Sequence, residues 1–228
     1  MRKQTAIGVD FGTTNTVIAV AKPGEAVRAI TFHDDREQSD IYRSVLCFEQ
    51  IAATRFDVES SAGMKAIRAY LASARETRFI QSFKSHVASP LFDETRIFGR
   101  GYKFEDLLST FFRLSRRDAD GQLADLSGPI VSGRPVAFVG AAPVEELAVR
   151  RYSEAYRRIG IHDPIYVYEP VGAAFYHAQR LASDALVLVC DFGGGTSDFS
   201  LIRFERRGAG VGATPIGHAG VAVAGDNF

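Results

Sequence analysis

The chain reads as an α/β protein in which a mixed sheet carries helices on its faces. Two observations predict this. A strand, a tight polar loop and a second strand occur twice, near the start and near the end. Between the copies, helical and strand-like segments alternate after an opening meander, a pattern that favours a mixed sheet with helical cover over a sandwich. With 46% apolar and 11% aromatic residues, the 228-residue chain can bury a sizeable core.

The first unit runs over residues 5–21: an apolar strand to Val9, the loop Asp10-Phe11-Gly12-Thr13-Thr14-Asn15, and a second apolar strand. A turn at Lys22-Pro23-Gly24-Glu25 leads to a third strand over 26–32. A charged loop follows over 33–40, then a strand over 43–48, a helix over 62–74 and a short helix over 79–87. Phe104, Leu107, Leu108 and Phe111 have i, i+3, i+4, i+7 spacing and predict an amphipathic helix over 104–115. Residues 118–133, rich in Asp, Gly and Ser, read as a loop, and 135–139 as a buried strand. Tyr152, Ala155, Tyr156 and Ile159 form a helical stripe that Gly160 can cap. A strand over 165–168 and a helix over 171–181 precede the second unit, whose loop is Asp191-Phe192-Gly193-Gly194-Gly195-Thr196-Ser197-Asp198.

The repeated loop carries chemistry. A carboxylate closing a strand can hold a divalent cation or its waters, and glycines let backbone N–H groups approach an anion closely. Thr13, Thr14 and Thr196 add hydroxyl donors. Two such loops facing each other would clamp a phosphate chain and its Mg²⁺, the main requirement of phosphoryl transfer. The repetition of acid, glycines and hydroxyls is what separates this reading from two ordinary glycine hairpins.

Other readings drop out. Lys plus Arg and Asp plus Glu both number 27, so net charge gives no case for nucleic acid or an anionic membrane as partner. No apolar stretch reaches membrane-span length. Cys47 and Cys190 lie far apart, which fits a reducing cytoplasm, and Cys190 reads as an inert core residue. Gly208-Ala209-Gly210-Val211-Gly212-Ala213 fits a loose dinucleotide pattern, but Pro215 and Gly217 forbid the helix that pattern must open, leaving a flexible hairpin tip. His33, His86, His162, His177 and His218 show no paired metal-ligand spacing.

On the two loops the sequence resembles the actin, sugar-kinase and heat-shock protein 70 superfamily. Gly193-Gly194-Gly195-Thr196-Ser197-Asp198 is most like the heat-shock protein 70 chaperones, since bacterial actin-like filament proteins usually carry Glu where Asp198 stands. Tyr168-Glu169-Pro170-Val171-Gly172-Ala173-Ala174 resembles the connecting motif, and Ala224-Gly225-Asp226-Asn227-Phe228 the Gly-Gly-x-Asp-Phe segment. Tyr102-Lys103-Phe104-Glu105-Asp106-Leu107-Leu108 is more like the bacterial YegD-type branch than like DnaK.

The resemblance implies an actin-like, ribonuclease H-like lobe over 1–183, with an inserted subdomain at about 33–103, and the opening hairpin of a second, incomplete lobe over 184–228. It implies ATP or ADP with Mg²⁺ as ligands, a chaperone ATPase as the intact parent, and an unfolded client or co-chaperone as partner. Asp10 and Asp191 take the metal role; Asp10, Glu169, Asp191 and Thr196 the catalytic one; and Gly12, Thr13, Thr14, Asn15, Gly193, Gly194, Gly195 and Thr196 bind phosphate. Asp198 reads as structural to its hairpin. Glu169, held before Pro170, is expected at a strand end and outside helical geometry. The family's lysine position falls on Ile67, leaving Lys65 or Lys84 as substitutes, both exposed by default. The alternatives are a small-molecule kinase of the same fold and a non-hydrolysing assembly module. An incomplete second lobe would leave strand edges that invite dimerisation.

Overall fold

The computed structural model describes residues 4–34, 36–51, 57–208 and 210–225. Strands β1 (Ala6–Phe11) and β2 (Asn15–Ala21) form the predicted hairpin, with Asp10 opposite Val17 and Phe11 opposite Thr16. The third strand is shorter than expected: only β3 (Arg28–Ala29) pairs with β2. After Ile30 N–H reaches Ile18 O at 2.8 Å, the chain leaves, and β4 (Phe32–His33) pairs with β5 (Gln38–Ser39). It returns briefly as β6 (Tyr42–Arg43), again on β2.

Strands β7 (Leu46–Gln50) and β8 (Val58–Ala62), helix α1 (Gly63–Ala72) and strand β9 (Thr77–Ile80) follow. The three strands form a sheet of order β8-β7-β9, on which α1 packs Ala66 near Val45 and Cys47. The short helix predicted over 79–87 is thus half strand and half a 3-10 turn at Phe83–His86, because Thr77, Phe79 and Ile80 suit a pleated surface. A hairpin of β10 (Thr95–Ile97) and β11 (Arg100–Tyr102) leads into α2 (Phe104–Asp118). The apolar stripe read from its spacing is buried, and the Asp106 carboxylate accepts the Lys103 N–H at its start, satisfying one of the donors a helix end leaves open.

Strand β12 (Ile130–Arg134) lies N-terminal to the strand predicted over 135–139. The predicted stretch is the more apolar, but Pro135 has no N–H to give a ladder, so the strand forms before it, in residues read as the end of a loop. Helix α3 (Glu145–Arg157) carries Tyr152, Ala155 and Tyr156 inward, and Gly160 follows with φ +84°. Strand β13 (Ile165–Tyr168) is as expected, but helix α4 (Glu169–Ala178) begins at Glu169 itself. Tyr168 caps it in extended geometry and Pro170 is tolerated in the first turn, so the glutamate is helical, contrary to expectation. The main sheet has order β13-β12-β1-β2-β3, in which the β13–β12 and β12–β1 pairs are parallel and the β1–β2 and β2–β3 pairs antiparallel. The fold is therefore a mixed α/β one, as predicted.

The second unit forms a separate three-stranded antiparallel sheet, β14 (Ala185–Phe192), β15 (Ser197–Arg207) and β16 (Gly210–Val221). Residues 210–213, expected in a flexible tip, pair with 204–207; Ala209 lies outside the described residues. One face packs on α4, where Ala174 and Ala178 meet Ile202 and Phe204. On β14 the other face is open: Leu186, Leu188, Cys190 and Phe192 are exposed, which corrects the reading of Cys190 as a core residue. The main core lies between the first sheet and α2 and α3, with Phe11, Phe83, Phe104, Phe111, Phe112 and Tyr156 in one aromatic group. No helix among the described residues is long and apolar enough to cross a membrane.

Candidate active site

The two loops have the same internal geometry. Gly12 N–H donates to Asn15 O at 2.9 Å, and Gly193 N–H donates to Thr196 O at 2.9 Å. In each case the hairpin register continues that closure, with Phe192 opposite Ser197 and Asp191 opposite Asp198 as Phe11 and Asp10 are opposite Thr16 and Val17. A side chain at Gly12 would drive its Cβ to 2.4 Å from Asn15 O, so the tight turn excludes every other residue. The loops also meet each other: a Cβ on Gly195 would lie 2.9 Å from Thr13 Oγ1.

Neighbouring elements hold both loops in place. Arg43 Nη1 donates to Asn15 Oδ1 at 2.7 Å, and Ser44 N–H donates to Thr14 O at 2.9 Å. On the other side Gly225 N–H donates to Gly193 O at 3.1 Å. Asp226, Asn227 and Phe228, the end of the motif noted above, lie outside the described residues. Asp198 does more than shape its own hairpin. Its Oδ1 accepts N–H bonds from Val136 at 3.0 Å and Ala137 at 3.4 Å, and its Oδ2 accepts the Thr196 hydroxyl at 2.7 Å. The segment after β12 is thereby tied to the second loop.

Asp10, Gly12, Thr13, Thr14, Asn15, Glu169, Asp191, Gly193, Gly194, Gly195 and Thr196 all border one cleft of about 370 Å³. Every site residue named from the sequence is among them. Sequence reasoning undervalued one further residue, Lys84, which is buried and whose Nζ lies 2.6 Å from Glu169 Oε1. Its place follows from Phe83. That ring packs against Phe11 at 5.4 Å and Phe111 at 6.0 Å, so the 3-10 turn is pinned with its next side chain facing the cleft. Arg151 of α3 secures the following segment by donating to the carbonyls of His86, Val87, Ser89 and Phe92. Lys65, the other candidate, is drawn off elsewhere: its Nζ pairs with Asp118 Oδ1 at 2.8 Å, and Asp118 also accepts the Tyr42 hydroxyl.

Three carboxylates thus face one lysine. Enclosure by protein raises the Asp10 carboxyl above its ordinary value, with Lys84 opposing. Glu169 is raised by burial, again against Lys84, and Asp10 and Asp191 add to the rise. Asp191 is raised by burial and then by Asp10 and Asp198. In all three, loss of contact with water is the largest cause, and Lys84 opposes it. Among the described residues, no group of three or more His, Cys, Asp or Glu is arranged to hold a metal ion directly.

No family model matches the chain. Two curated proteins resemble it over 205 residues: the chaperone protein DnaK of Thermotoga neapolitana at 28% identity and that of Thermotoga petrophila at 27%. The likeness is to DnaK. In both cases it covers 89% of this chain and 31% of DnaK, so the chain spans about a third of the length of the curated relatives it matches. This is weak homology to DnaK, spread over most of the chain.

Proposed function

We propose that the chain is the phosphate-binding part of a heat-shock protein 70-type ATPase, of the YegD-like branch, with an actin-like lobe over 1–183 and the opening of a second lobe over 184–228. The single observation that carries the reading is the pair of hairpins in matching register, loop against loop, with Lys84 set among three acids. The weak homology to DnaK supports it independently.

In this reading the backbone N–H groups and hydroxyls of residues 12–15 and 193–196 grip the ATP phosphates from two sides. Lys84 supplies the positive charge toward the terminal phosphate, the part that neither Lys65 nor Ile67 can play. Asp10 and Asp191 would hold Mg²⁺ through its waters; when bound, the ion neutralises charge on the phosphate oxygens. Glu169 and Thr196 orient the attacking water, Glu169 being kept in place by Lys84. Asp198 couples the second loop to the first lobe, so loss of the terminal phosphate would change how the two parts sit together and so signal to a client or co-chaperone.

Calorimetric titration with Mg·ATP tests this. Binding is expected, and Asp10→Ala or Lys84→Ala should weaken it at least about tenfold, the weight of one charge-assisted contact. Absence of binding, or binding indifferent to both changes, overturns the proposal. The competing kinase reading predicts ATP loss only with an added acceptor.

A further inference from the structure

A second polar cleft, of about 260 Å³, lies between α2, β7, β8 and β11, and none of its lining residues borders the phosphate-loop cleft. Its floor is Phe48 and Tyr102, whose rings lie 5.2 Å apart. Ser60, Ser109 and Thr110 line its walls, with Arg100 contributed by β11 and Arg113 by α2.

The charges in this cleft do not balance. Neither arginine forms an ion pair among the described residues. Arg100, exposed, lies over the Tyr102 ring, 5.4 Å from its centre, an arrangement that leaves its N–H fork free. Arg113 spends Nε on Ser109 O and Nη2 on Thr110 Oγ1 at 3.0 Å, so it is held, with Nη1 unspent. Thr110 accepts that bond and keeps its own hydroxyl hydrogen for another acceptor. The one acid on the wall, Asp106, is already committed: Oδ1 to Arg158 Nη1 at 2.6 Å and Oδ2 to Lys103 N–H at 2.8 Å. Two guanidiniums without ion pairs, the Thr110 hydroxyl and an aromatic floor in one cleft match an oxyanion of charge near minus two.

We propose that this cleft binds a phosphate group, either as free phosphate or as the head of a phosphomonoester, through Arg100, Arg113 and the Thr110 hydroxyl. A ¹H–¹⁵N NMR titration of the full chain with inorganic phosphate, and separately with glycerol 3-phosphate, at constant ionic strength tests it. Saturable shifts are expected at the amides of Ser60, Arg100, Ser109, Thr110 and Arg113. Tighter binding of the ester would assign the esterified phosphate, and equal binding the free anion. Affinity for the ester should fall as pH is lowered through the second pKa of a phosphomonoester, about 6. Arg100→Gln and Arg113→Gln should each weaken these shifts about tenfold or more. Amide shifts at Gly12 and Gly194, which report the phosphate loops, should survive both changes, so the two sites stand or fall separately. No saturable shift in the cleft at millimolar phosphate, or shifts that persist in the double variant, overturns the proposal.

Discussion

The two hairpins share one register and differ in what covers them. Phe11 and Phe192 occupy the same position in the repeat, directly after the loop acid, yet Phe11 is 2% exposed and Phe192 is 72% exposed. Ile7 and Leu188 are likewise equivalent, at 3% and 61%. On the first hairpin α2 packs its phenylalanines against this face; on the second, nothing among the described residues does. A repeated motif therefore specifies the local turn, the acid and the strand pairing, while the energetic weight of each residue is set by what packs on it. Substitution gives the largest expected effect. Phe11→Ala should cost about 3–5 kcal/mol in urea unfolding, transfer and cavity together. Phe192→Ala should stay within about 0.5 kcal/mol. Equal losses would show that the second face is covered after all.

A second contrast lies at the position where the first hairpin has Val17 and the second has Asp198. Val17 faces Asp10 across a sheet already anchored on both sides, whereas Asp198 is buried and provides the tie to Val136 and Ala137. Asp198→Ala leaves two N–H groups and the Thr196 hydroxyl without their acceptor and should cost roughly 2–3 kcal/mol. Asp198→Asn keeps an acceptor oxygen and should lose less. Equal losses in chemical denaturation would mean that these accepted bonds are not what holds the second sheet to the first.

A smaller effect is expected where the loops touch. Gly195→Ala puts a methyl 2.9 Å from Thr13 Oγ1, a contact that the neighbour must relieve by moving, at roughly 1–2 kcal/mol. Removing the obstacle in the double variant Gly195→Ala, Thr13→Ala should recover most of that stability, a non-additive result that a double-mutant cycle measures. Plain additivity would place the two loops further apart than the structure does.

The sequence was most legible where a residue's role is set by near neighbours. The hairpin loops, the buried stripe of α2 and the stripe of α3 with its Gly160 stop all rest on spacing within a few turns. It was least legible where distant packing decides. Residues 135–139 are the more apolar stretch, yet the strand is 130–134, because Pro135 has no N–H to give the ladder. Lys84 gave almost no local signal, since its burial depends on the Phe83 ring finding Phe11 and Phe111, and on Glu169 arriving from the far end of the chain. The apolar Phe83 beside a lone lysine, in a stretch read as a short helix, was the available hint. Leu186, Leu188 and Phe192 show the same limit from the other side, because alternation marks a face as apolar without saying what will cover it.

The subtlest test concerns the acids that face Lys84. Asp10 has its carboxyl pKa raised in the folded protein, so between the unfolded value, about 3.9, and the folded value the native state holds the extra proton. Stability therefore falls as pH rises through that window, and above it the full cost of ionising Asp10 within the cleft is present. Asp10→Asn removes that cost. The variant is expected to melt higher than the parent at pH 7, with the gain shrinking as pH falls and gone once both states of the parent are protonated, below about 3.9. Its counterpart Asp191 is raised for the same reason and should give the same sign, while a surface acid such as Asp125, whose carboxyl is held below its ordinary value by Ser127, should give the opposite one. Thermal melts across the pH range distinguish these outcomes. An Asp10→Asn protein that is less stable than the parent at neutral pH would mean that Lys84 more than compensates the cost of ionising Asp10 in the cleft.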